Sequence, residues 1–161
     1  MTQAKAPIGP ARLASSAVRG IAPYVIGKPI DELARELGVT DIIKLASNEN
    51  PLGPSPRALK AMQESLRDVW LYPDGNGHDL KQALAAWHRI DAKQVTLGNG
   101  SNDLLVLLAE AFLTPGTNAI HSEFAFAIYG LSIQATGAEI RVAKAHGADH
   151  AMAYGHDLDA M

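Results

Sequence analysis

The sequence predicts an α/β fold with a largely parallel sheet, on two observations. Short β-branched runs alternate with helical apolar patterns, and turns rich in Gly, Pro, Asn and Asp punctuate each change of period. The composition agrees. Of 161 residues 47% are hydrophobic and 19% charged, with a formal net charge of -3, which supplies one sizeable core for a domain or a piece of a larger one. No dense basic run offers a footprint for nucleic acid. No apolar stretch is long enough to span a membrane. The chain has no cysteine, so a disulfide scaffold, a Cys-based zinc site and a thiol nucleophile are excluded. The first twenty residues resemble a transit peptide only loosely and lack the apolar core of a secretory signal. A cytoplasmic protein is expected.

Residues 1–28, rich in Pro, Gly and small residues, read as an extended arm. A helix is expected from Pro29–Asp31, with Leu33 and Leu37 on one face and Gly38 as its C-terminal cap. Ile42 to Leu45 reads as a short strand stopped by a polar cluster and Pro51. Ser55 and Pro56 are the N-cap and first helical residue of the next helix. Its Leu59, Met62, Leu66 and Val69 follow the spacing of a buried stripe. After the turn "PDGNGHD", Asp79 and Gln82 read as a capping box opening the helix of Leu80, Leu84 and Trp87. Val95–Leu97 reads as a strand and Ser101–Leu113 as a helix closed by Pro115-Gly116. Ala119–His121 and Ile140–Ala143 read as strands flanking a helix near Phe126–Thr136. Asp157–Met161 looks like the first turn of another helix, so the sequence reads as stopping in mid-domain.

"TLGNGSNDLLVLL", residues 96–108, carries the chemistry. A helix N-terminus presents unpaired N–H groups and a positive dipole end, which suits an anion. The dipole contributes roughly 0.3–1 kcal/mol to a phosphate there. Gly98 and Gly100 allow close backbone approach, and the Ser101 hydroxyl can add a donor. A Walker loop would need Gly-Lys-Ser/Thr, which is absent, and a dinucleotide fingerprint would need a third glycine where Asp103 stands. Taken alone, the pattern fits a capped helix with turn glycines at least as well, since short glycine motifs arise by chance.

The surrounding motifs bear on that choice. "APYVIGKP" at 22–29, "LASNENPLGPSP" at 45–56, "YPDGNG" at 72–77, "GNGSND" at 98–103 and "FAFAIY" at 124–129 occur in this order. The series resembles the histidinol-phosphate aminotransferases, from about Val18 to the last residue. The resemblance implies the three-layer α-β-α architecture of the pyridoxal-phosphate-dependent transferases (aspartate-aminotransferase fold, fold type I), incomplete in this chain. It implies an arm and small-domain segment over 1–50 and the first part of the large cofactor-binding domain over 51–161.

The same resemblance implies roles for individual residues. Gly100, Ser101 and Asn102 match the turn that holds the phosphate of pyridoxal 5'-phosphate through backbone N–H groups. Phe126 matches the aromatic residue that stacks on the pyridine ring; many relatives carry Tyr there. Tyr72 matches a residue that bonds the cofactor phosphate of the neighbouring subunit, which implies a homodimer. Tyr24 matches a residue near the substrate, and Asn48 and Asn50 fall in the loop lining its entrance, although Asn before Pro is also ordinary turn chemistry. Ile26 replaces the Pro of many relatives, a change expected to alter arm stiffness.

The implied reaction transfers an amino group between glutamate and imidazole-acetol phosphate in histidine biosynthesis. It requires a lysine that forms a Schiff base with the cofactor and an acidic partner for the pyridinium nitrogen. Lys5, Lys28, Lys44, Lys60, Lys81, Lys93 and Lys144 are the candidates, and none sits in a matching motif. No catalytic residue is therefore assigned, and the chain alone is expected not to transaminate. Other readings stay open: a related aminotransferase, a phosphothreonine decarboxylase, or a non-catalytic phosphate- or nucleotide-binding module. His146, His150 and His156 raise a metal site, but Gly147 and Gly155 make their segment a poor helix and no acidic cluster completes a shell. Exposed loop histidines are the better reading. A serine hydrolase lacks its Gly-x-Ser-x-Gly elbow.

Overall fold

A computed structural model describes residues 12–24, 27–45 and 49–161; Ile26 and Asn48 lie outside them. Among the described residues the elements run α1 (Ser16–Arg19), α2 (Ile30–Leu37), α3 (Pro56–Ser65), α4 (His78–His88), α5 (Ser101–Phe112), β1 (Asn118–Ser122), α6 (Ile128–Thr136) and β2 (Glu139–Ala143). Short 3-10 turns occupy Leu66–Asp68 and Ala92–Gln94. The described residues pack into two units, one formed by those from Arg12 to Pro23 together with Leu84–Met161, the other by those between Tyr24 and Ala83.

The first unit is built on a β-α-β crossover. β1 and β2 pair in parallel from Asn118 opposite Glu139 to Ser122 opposite Ala143. A parallel pair needs a crossover connection, and α6 supplies it. Gly137 ends α6 in the left-handed region at φ 79° and turns the chain into β2. α6 packs on both strands, on α5 and on α1. Ala109, Ile133, Ala138 and Ala143 are buried between these elements. The buried Ser132 is satisfied within its helix, its hydroxyl donating to Ile128 O at 2.7 Å. Gln134 Nε2 donates to Gly20 O at 3.1 Å and ties the end of α1 to α6.

In the second unit α2 ends at Gly38, in the left-handed region at φ 66°. Its Glu32 and Glu36 both pair with Lys28. α3 opens as the sequence predicts, with Pro56 behind an N-cap Ser55 whose hydroxyl accepts from Ala58 N at 3.4 Å.

The structure corrects several local expectations. Ile42–Leu45 and Val95–Leu97 form no strand, although Val95 has extended dihedrals (φ -104°, ψ 119°). A strand exists by pairing its N–H and C=O groups with a neighbour, and among the described residues only β1 and β2 pair. Leu59, Met62, Leu66 and Val69 are exposed rather than a buried stripe, and α3 stops at Ser65 before the spacing is complete. Asp79 does not cap α4. Asp74 does, because it stands four residues ahead of His78 and its Oδ2 accepts from His78 N at 2.7 Å. Beyond Asp157 no helical turn forms, although Asp157 Oδ1 accepts from Asp159 N and Ala160 N as an N-cap would. Among the described residues no helix is long and apolar enough to cross a membrane.

Candidate functional site: an open helix N-terminus

The glycine turn has a conformation that only its glycines permit. Gly100, the N-cap of α5, has φ 82° and ψ 174°, a region of backbone space essentially confined to glycine. A Cβ on Gly98 would stand 3.0 Å from both Asp103 Oδ2 and Leu104 Cγ. A side chain at that position would press on Asp103 and Leu104 in the first turn of the helix, and glycine avoids that crowding. Gly100 N donates to Gly98 O at 2.8 Å, and Asn99 N donates to Asp103 Oδ2 at 3.0 Å.

These bonds consume the N–H groups of Asn99 and Gly100 and stop there. No side chain caps α5. Among the described residues no acceptor engages the N–H of Ser101 or Asn102, and both residues are exposed. The twelve-residue α5 thus presents open donors at its positive dipole end. Asp103, the one acid in its first turn, points its carboxylate back at Asn99. The donor set suits an anion with several oxygens, such as a phosphate, held by backbone N–H groups and the Ser101 hydroxyl. Gly100 differs from its two partners in the motif, because its own N–H is already bonded within the turn.

The other expected residues lie as follows. Phe126 precedes α6 in the same unit, 46% exposed, with its carbonyl accepting from Tyr129 N. It lines a cavity of about 350 Å³ at the C-terminal end of β1, together with Ser122, Phe124, Tyr129 and His156. The carboxyl ends of parallel strands are where open α/β sheets bind ligands. Tyr24, Asn50 and Tyr72 belong to the other unit. Tyr72 is fully exposed and Tyr24 half-exposed. Asn50 uses its side chain in its own turn, Oδ1 accepting from Leu52 N at 3.0 Å and Nδ2 donating to Gly53 O at 3.3 Å.

Four of the described lysines stand in ion pairs: Lys28 with Glu36, Lys44 with Glu49, Lys60 with Glu64 and Lys144 with Glu123. His146 stacks on His150 with ring centroids 3.7 Å apart. Among the described residues no group of three or more His, Asp or Glu is arranged to hold a metal ion. One feature escaped sequence reasoning: His156 Nδ1 lies 2.6 Å from the hydroxyl of the buried Ser122, 34 positions earlier. Nothing local in the sequence signals a pair so far apart.

Comparisons with known proteins bear on the family and the fold. No family model matches the chain. Histidinol-phosphate aminotransferase 2 of Pseudomonas aeruginosa is 57% identical over 151 residues, covering 92% of this chain and 39% of that protein. Histidinol-phosphate aminotransferase 1 of Thiobacillus denitrificans is 55% identical over 147 residues, covering 89% of this chain and 36% of the relative. The chain thus spans about two-fifths of the length of these relatives. Among solved structures, histidinol-phosphate aminotransferase from Sinorhizobium meliloti in complex with pyridoxal-5'-phosphate superposes with a TM-score of 0.69 at 23% identity. The match covers 89% of this chain and 36% of that one. In sequence and in fold, the chain matches the N-terminal portion of the histidinol-phosphate aminotransferases, of fold type I.

Proposed function

We propose that the open end of α5 is a phosphate cup and that the phosphate it takes is that of pyridoxal 5'-phosphate. The single observation behind this reading is the bare N-terminus behind Gly100, in a conformation only glycine adopts. In this reading Ser101 and Asn102 donate to the phosphate with Gly100 shaping the turn, and Phe126 offers its ring to the pyridine face. Offset stacking of that kind contributes roughly 0.5–1.5 kcal/mol beyond burial. Bound there, the cofactor supplies an electron sink for amino-group chemistry. The longer protein would be a cytoplasmic histidinol-phosphate aminotransferase acting between glutamate and imidazole-acetol phosphate. Tyr24, Asn48 and Asn50 would then lie toward the substrate, and the fully exposed Tyr72 is free to reach a neighbouring subunit of a homodimer. Residues 1–50 would serve as arm and small-domain segment and 51–161 as the first part of the large domain. That division concerns the longer protein, whereas the two units concern packing in this chain.

The chain alone does not transaminate in this reading. Its reaction needs a lysine amine that forms a Schiff base with the cofactor, and no lysine of this sequence sits in a motif matching the one that carries it in the family. An absorbance titration with pyridoxal phosphate, run beside one with ATP, tests the assignment. Binding of pyridoxal phosphate that weakens when Ser101 or Asn102 is replaced by Trp supports it. Unchanged affinity in both variants rejects it.

A further inference from the structure

Phe126 stands on a short turn after β1, and three consecutive residues of that turn are gripped by one distant segment. Ser122 Oγ lies 2.6 Å from His156 Nδ1. The Glu123 carboxylate accepts from Ala145 N at 3.1 Å and from Lys144 Nζ at 2.7 Å. The Phe124 ring meets Tyr154 edge-on with centroids 6.1 Å apart. The gripping segment is itself closed into a loop, because His146 N donates to Gly155 O and Tyr154 N to His146 O. Ser122 is 4% exposed, so its hydroxyl depends on His156 for a partner, and a buried hydroxyl left alone is costly. Its carbonyl accepts from Ala125 N at 3.0 Å, within the same turn.

We propose that Ser122 and His156 are positioning residues for Phe126. Their hydrogen bond fixes the turn, and the turn fixes where the phenyl ring stands in the lining of the cavity. That the ring is a cofactor-stacking face rests on the function proposed above; that the pair holds the turn does not. His156 touches no reacting atom in this scheme.

Amide hydrogen exchange on the full chain tests the clasp without any cofactor. Ser122→Ala and His156→Ala each speed exchange at Ala125 N by about tenfold while the β1–β2 ladder stays protected, and the double variant is no faster than either single one. His156→Asn, which keeps a hydrogen-bonding atom at the place of Nδ1, restores slow exchange. Unchanged exchange at Ala125, equal acceleration in the ladder, or His156→Asn behaving like His156→Ala each overturns the proposal. Pyridoxal phosphate titration gives a second readout: affinity falls several-fold in His156→Ala but no further when Phe126→Ala is already present. Equal losses in both backgrounds overturn the route through Phe126. Failure of the unsubstituted chain to bind the cofactor counts against the proposed function alone, and the exchange pattern still decides the clasp.

Discussion

Two helices in this chain open behind the same three residues, and only one of them is closed. α4 follows Gly75-Asn76-Gly77 and α5 follows Gly98-Asn99-Gly100, and in both the second glycine has positive φ, 57° at Gly77 and 82° at Gly100. Four positions ahead of the first helical residue stands Asp74 in one case and Leu97 in the other. The Asp74 carboxylate bonds Asn76 N with one oxygen and the helical His78 N with the other. At α5 the acid is Asp103, inside the helix, and it reaches back to Asn99 N, outside the helix. The same tripeptide therefore precedes a helix closed by a side chain in one place and a helix with open N–H groups in the other. The two differ in where the carboxylate stands and in the backbone bond of the second glycine, whose N–H donates to Asp74 O before α4 and to Gly98 O before α5.

Exchanging that carboxylate should have the largest effect. Leu97→Asp sets an acid before α5 as Asp74 stands before α4, where it competes for the open N–H groups and repels a phosphate. A charge-assisted bond of about 1.5–3 kcal/mol is at stake, so pyridoxal phosphate affinity should fall tenfold or more by titration. Undiminished affinity would mean the cup lies elsewhere. Next comes Gly100→Ala, whose side chain forces the turn out of its glycine-only region at a cost of about 1–3 kcal/mol. Thermal denaturation should show lowered stability, and affinity should fall with it, whereas Gly75→Ala, with open space around its would-be Cβ, should be nearly silent.

Asp74→Leu gives the reverse contrast. It should lower the melting temperature by a few degrees and leave cofactor affinity alone, because the bonds lost belong to α4. The smallest effect is in pH. The N–H groups of His78 and then Asn76 hold the Asp74 carboxyl below its ordinary value of 3.8. A depressed pKa gives stability that is present above the unfolded value and lost as pH falls through the folded one. Protection of His78 N, relative to its intrinsic exchange rate, should therefore persist down to the ordinary value of 3.8 and fall only below it. A carboxyl titrating at or above 3.8 by NMR would show that α4 is not closed in this way.

How far the sequence could be read is clear from these same residues. Gly38, Ser55 and Pro56 announce helix ends through chemistry confined to a few neighbours, and the structure places them so. The α6 crossover between two short runs was equally legible, since the change of period marks both strands. Asp79 misled because a capping box and an acid in the first turn look alike in sequence, while the Asp74 side chain reaches four residues forward. Val95–Leu97 and Ile42–Leu45 misled for another reason: extended residues become a strand only beside a partner. For the candidate site, the glycines at the mouth of α5 were readable, whereas the open N–H groups behind them and the contact of Ser122 with His156 were not.

The sequence by itself determined the helix ends at Gly38 and Ser55-Pro56, the β-α-β order and the motif series that matches the histidinol-phosphate aminotransferases. Each of these is set by dihedral preference, side-chain chemistry or order along the chain. Only the tertiary structure decided which N–H groups remain open, which acid closes which helix, and which distant segment holds the turn of Phe126. The first two turn on how side chains and backbone are oriented within four residues, and the last on atoms far apart in sequence coming within hydrogen-bonding distance; local preference fixes neither.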